Sequence, residues 1–291
     1  YGASDRGYHS TSPFVFGEAL RRHALVILNE MGIPVKYGHS EVGYIEACEE
    51  DPYVWEQHEI ELALQPLPQA AENVVITQWV LRNLAHLSGM QCSFAPVVRK
   101  GHAGSGMHFH LSPVRNGEHL TVNDETGNLR KESKWLIGGL VQMGGVLMAF
   151  GNRDKTSFLR LSQAKEAPNA VTWGRFNRKA LIRLPIVATD AEGNAVTHET
   201  IEYRLPDGSA HPQLLLAGIA QAMLLGKNTP NLDEWISRTA AEAVTDGNGK
   251  IAVPKSFAEV AEILIANAKV FTDGNVFPEH IIQRWSENLQ S

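Results

Sequence analysis

The sequence predicts an α+β fold with a largely antiparallel sheet. Strand-like and helix-like stretches mix along the chain without a strand–helix–strand rhythm. Several short stretches alternate apolar and polar residues with the period of a half-buried strand. The 291 residues, 43% of them hydrophobic, suffice for a large core in one domain spanning 1–291.

Phe16–Met31 reads as a first helix, stopped by Gly32 and Pro34. Val35–His39 and Glu56–Leu64 read as strands, the second with Gln57, Glu59 and Glu61 on one face. Gly43–Trp55 between them is a polar, acidic loop. Gln69–Ser88 is a long amphipathic helix closed by Gly89, and Cys92–Val98 is a strand. Asn116–Asn128 carries two turn signals and reads as a surface hairpin. Ser133–Phe150 is a buried helix whose glycine pairs allow close packing. Asn152–Val171 has little periodicity and reads as a long loop, a kind of segment that tends to be functional. Phe176–Ile186 and His198–Leu205 recover strand patterns around a turn at Asp190–Asn194. His211–Gly226 is a buried helix. In the tail, Ser256–Lys269 is the clearest helix, opened by a Ser256/Glu259 capping box.

A net charge of −6 argues against general nucleic-acid binding. The two cysteines, Cys48 and Cys92, rule out a disulfide scaffold and suit a reducing, cytoplasmic compartment. The longest apolar runs, Leu136–Phe150 and Leu214–Leu225, are too short to cross a bilayer. No signal-peptide pattern is present. The chain opens at Tyr1 without methionine, as a fragment of something longer would.

Charge is segregated. Glu41–Glu61 holds eight acids and no lysine or arginine, whereas Gly151–Arg183 holds eight bases against two acids. Such blocks are ordinarily solvated faces. In one fold they also suit a cation on one side and a phosphate or carboxylate ligand on the other. Between them lies GHAGSGMHFHLS, Gly101–Ser112. Glycines at 101, 104 and 106 permit a tight turn and close approach to a ligand. In the strand that follows, Met107, Phe109 and Leu111 face one way and His108, His110 and Ser112 the other.

GSGMHFHLS resembles the glycine–histidine signature of glutamine synthetases. Four further motifs follow the family's pattern: HSEV at His39–Val42, QHEI at Gln57–Ile60, NRKALIRLP from Asn177, and EYRLPDGS from Glu202, followed by His211-Pro212. The resemblance implies a curved antiparallel sheet backed by helices. It implies that Glu41, Glu59, His108 and Glu202 together hold Mg²⁺ or Mn²⁺, with carboxylates suited to hard cations and one imidazole compatible with Mn²⁺. By the same resemblance His110, Ser112 and Arg183 contact ATP, and Gly104, Arg160 and Arg204 form the glutamate pocket. Arg178 steadies the transferring phosphoryl group, and Glu166 is the flap carboxylate that closes the site and takes a proton from ammonium. The implied reaction joins ammonia to glutamate through a γ-glutamyl phosphate, in a ring-shaped homo-oligomer with no membrane or nucleic-acid partner.

Departures from the pattern are as informative. Ala103 replaces an asparagine usual beside the glycine turn, and Thr200 replaces an arginine common near the nucleotide. An acidic insertion, Tyr44–Trp55, separates two strands that are usually closer. The family's small N-terminal domain and its first glutamate-bearing strand are absent from this sequence. Ala103 and the insertion leave room for a γ-glutamyl ligase using a larger amine. A non-catalytic scaffold, or a zinc hydrolase built on His108-x-His110, are the rivals outside that chemistry. His86 and His119 read as structural or solvated. Taken alone, Glu202 would pass for an exposed strand carboxylate paired with Arg204.

Overall fold

The computed structural model describes residues 7–122, 127–163, 167–168, 170–192, 195–244 and 251–290. The chain divides into two compact units, Tyr1–Ser105 and Gly106–Ser291.

In the first unit, helix α1 (Glu18–Glu30) precedes an antiparallel pair, β1 (Val35–Ile45) and β2 (Trp55–Leu62), and then helix α2 (Leu67–Leu87). The Glu56 carboxylate of β2 accepts from the backbone N–H of Phe16 and of Gly17, both at 2.9 Å. It thereby satisfies donors that an open helix start leaves bare. Gly32, at φ +78°, ends α1, and Gly89, at φ +67°, follows α2. Leu28, Ile33 and Val80 form the buried centre, with Val35, Ile60 and Leu62 packed against it. β1 runs six residues beyond the expected His39, so the acidic loop shrinks to 46–54. Arg99 fastens that loop, donating to the Glu46 carbonyl at 2.7 Å and to Asp51 at 2.8 Å. The strand expected at Cys92–Val98 does not form. Pro96 removes a ladder donor and restricts its neighbour, and the stretch runs as irregular chain.

The second unit is built on a four-stranded sheet. Its strands are β3 (Phe109–Leu111), β6 (Trp173–Arg175), β7 (Ile182–Leu184) and β8 (Ile201–Tyr203), in the order β3-β8-β7-β6. Only the β6/β7 pair is parallel, so the α+β, largely antiparallel expectation holds. A hairpin of β4 (Val114–Arg115) and β5 (Glu118–His119) turns at Asn116 and Gly117, both at positive φ.

Around the sheet lie α3 (Lys131–Met143), α4 (Met148–Gly151), α5 (Lys155–Ser162), α6 (Pro212–Asn228), α7 (Leu232–Thr239), α8 (Phe257–Ala266), α9 (Ala268–Thr272) and α10 (Glu279–Gln290). Helices α3 and α6 touch backbone to backbone. A methyl at Gly139 would lie 1.8 Å from the Ala222 carbonyl, and one at Gly226 would lie 2.0 Å from that of Trp135. The Ser256/Glu259 cap forms, with Ser256 Oγ accepting from the Glu259 N–H at 3.2 Å.

Three expectations are corrected here. The buried helix expected over Ser133–Phe150 breaks after Met143, at the Gly144–Gly145 pair. The long loop expected from Asn152 contains α5, whose start is capped by Asp154 accepting from the Thr156 N–H at 2.7 Å. The strand expected over Phe176–Ile186 is confined to Ile182–Leu184, because Phe176 at φ +59° turns the chain, and β6 before it had no clear signal. No helix among the described residues is long and apolar enough to cross a membrane.

Candidate active site

In the second unit the site begins at β3. Phe109 and Leu111 are buried while His108, His110 and Ser112 are part-exposed, so the expected alternation holds. Gly106 bridges to Asp207, and a side chain there would lie 2.6 Å from both Arg160 Nη2 and His108 Nε2. Close approach, rather than a left-handed turn, explains that glycine.

Three residues from three neighbouring strand segments converge on the carboxylate of Glu202. Glu202 on β8 is 1% exposed. One of its oxygens takes His108 Nδ1 at 3.2 Å and Arg204 Nη1 at 2.6 Å, and the other takes Arg183 Nε. Burial alone would raise the Glu202 carboxyl; the hydrogen bond from His108 and the charge of Arg204 hold it below the usual carboxylate range. Burial pushes the His108 ring down to about 4, against the pull of Glu202. The ring is therefore neutral near pH 7, donating from Nδ1 and keeping a lone pair on Nε2. Two arginines against one carboxylate leave this cluster net positive.

Arg160 is 5% exposed, and its guanidinium donates to the carbonyls of Leu205 at 2.9 Å, Pro206 at 3.2 Å and Arg204 at 3.1 Å. It braces the end of β8 from behind. Further along β3, His110 Nδ1 lies 3.0 Å from the Thr200 hydroxyl. Ser112 Oγ lies 2.8 Å from His119 Nδ1 and 3.2 Å from the Thr121 hydroxyl. Arg178 is exposed in the turn between β6 and β7. Glu166, expected on the flap, lies outside the described residues.

The first unit carries a different set. His39 on β1 is directly opposite Glu59 on β2, and Glu41 follows two residues on, on the same face. Each of the three offers one ligand atom, and these atoms all lie within 4.8 Å of one another. Two carboxylates and an imidazole form a donor set that fits Mg²⁺ or Mn²⁺, the nitrogen favouring the latter. The sequence reading assigned Glu41 and Glu59 and passed over His39. The signal was present in its place within HSEV, two residues from Glu41 on an alternating strand. The His39 ring is held between those of His9 and Tyr37, with centroids 4.6 and 5.7 Å away. Gly104, also in this unit, has its carbonyl bonded by Gln57 Nε2 at 3.0 Å.

The fold is shared with a cryo-electron-microscopy structure of Plasmodium falciparum glutamine synthetase. The TM-score is 0.81 at 22% identity, over 99% of this chain and 60% of that one. The chain is 29% identical to glutamine synthetase of Azospirillum brasilense over 280 residues, and 30% identical to that of Frankia alni over 284. It spans 56% and 57% of the length of those two curated relatives. The family model described as glutamine synthetase, catalytic domain, matches residues 2–290. The chain belongs to that family.

Proposed function

We propose that this chain forms the side-chain amide of glutamate with ammonia, using ATP to activate the carboxylate as a γ-glutamyl phosphate. The observation that carries this reading is the convergence of His108, Arg183 and Arg204 on the buried Glu202, inside a chain of this family. Glu41 and Glu59, with His39 beside them, are the proposed cation ligands; His108 and Glu202, expected to join them, lie in the other unit, where Arg183 and Arg204 already engage the carboxylate. A bound divalent cation offsets the repulsion between nucleotide phosphates and the attacking carboxylate.

The protein's own groups do the rest. Arg183, His110 and Ser112 bind the nucleotide. Arg204 pairs with a carboxylate of glutamate. Arg160 acts through the strand end that it braces, holding Arg204 in place. Arg178, exposed in its turn, neutralises charge on the equatorial oxygens as the phosphoryl group passes.

The test is to supply the chain with ATP, glutamate, ammonium and Mg²⁺ or Mn²⁺, and to follow phosphate and glutamine together. Equal amounts of both, each requiring all components, are expected. Phosphate release that ignores glutamate would overturn the reading.

A further inference from the structure

Beyond His110 the polar face of β3 changes character. At the His108 end it is lined by Arg183, Arg204 and Glu202. At the Ser112 end its described hydrogen bonds go to hydroxyls and an imidazole, Thr200, Thr121 and His119, and His198 stacks on His119. His108 and Ser112 are four residues apart, about 13 Å along an extended chain. That is the reach of a nucleoside triphosphate from its last phosphate to its base, charged at one end and flat and neutral at the other.

The neutral end holds a built platform. The rings of His119 and His198 are stacked, with centroids 3.8 Å apart and planes 14° from parallel. His119 is part-buried and bonded to Ser112, whereas His198 is exposed. The segment that carries His198 is tied down by its next two residues. Glu199 pairs with Arg175 at 3.2 Å, and Thr200 bonds His110 at 3.0 Å. Burial and the neighbouring His198 push the His119 ring down, which favours a neutral inner ring. The arrangement is a fixed imidazole, backed by a second, with one face turned to solvent.

We propose that the outer face of His198 is the stacking surface for the base of the bound nucleotide, with His119 as the positioning residue behind it. This rests on the reading that nucleotide phosphates lie at the His108 end of β3. Base-on-ring stacking gives sequence-tolerant affinity and lets a nucleotide be held without a charge at its base.

The experiment compares ATP with inorganic tripolyphosphate, each titrated calorimetrically into the full chain with Mg²⁺. His198→Ala should weaken ATP about tenfold and leave tripolyphosphate unchanged. His198→Phe, which keeps a flat ring, should restore ATP affinity. His119→Ala should weaken ATP less than His198→Ala does. Equal ATP affinity in His198→Ala and the unaltered chain, or equal loss of both ligands, would overturn the proposal. If the unaltered chain binds tripolyphosphate and ATP equally, the base has no platform and the proposal again falls, while the phosphate site survives. If it binds neither, the nucleotide reading itself is wrong.

Discussion

Glu59 and Glu202 are both strand glutamates facing a histidine on the neighbouring strand, yet their environments are opposite. Glu59 is exposed, across from His39 and close to Glu41, in a cluster where acid outnumbers base. Glu202 is 1% exposed, across from His110, and ringed by two arginines and His108. One unit offers oxygen and nitrogen atoms to a cation. The other answers its carboxylate with positive groups and has positive charge to spare for an anion. Coulomb energy scales inversely with the local dielectric, so the buried charge is tied most tightly to its partners. The division matches the separated acidic and basic blocks of the sequence.

Stability should separate the two most strongly. Glu202→Ala leaves Arg183, Arg204 and His108 without their shared acceptor, and should cost about 3–5 kcal/mol in urea denaturation. Glu59→Ala should cost about 0.5 kcal/mol or less, as an exposed substitution does. Similar losses in both variants would erase the contrast.

Acidity should sharpen it. His108 titrates near 6.5 when unfolded and about 4 when folded. Between those values the unfolded chain binds more protons. The contribution of His108 is thus fully present above pH 6.5 and is lost as pH falls toward 4. The slope is at most about 1.4 kcal/mol per pH unit. Glu202, also held low, adds to the loss only further into acid. In metal-free buffer His108→Asn should flatten the decline between pH 6.5 and 4, and an unchanged slope would show that the ring is not held neutral by burial.

Helices α1, α2 and α6 and the starts of β1 and β2 were legible because periodicity and glycine stops are local signals, whereas the last six residues of β1 were not. α5 and the true extent of β6 and β7 were not. Their patterns are short, and a positive-φ Phe176 has no counterpart in hydrophobic rhythm. In the site, the polar face of His108, His110 and Ser112 followed from simple alternation. The burial of Glu202 did not, since nothing near it in sequence says that His108 and Arg183 will close over it. Arg160 was expected to face substrate, but the local pattern could not reveal the three carbonyls that occupy its guanidinium.

The most direct test of the contrast is a Mn²⁺ titration of the full chain, read by the electron-spin-resonance signal of the free ion. The unaltered chain should take up Mn²⁺. Glu41→Gln combined with Glu59→Gln should weaken uptake at least tenfold, and His39→Phe should weaken it by less. Uptake by the double variant equal to that of the unaltered chain would contradict the assignment of the first unit's carboxylates to a cation.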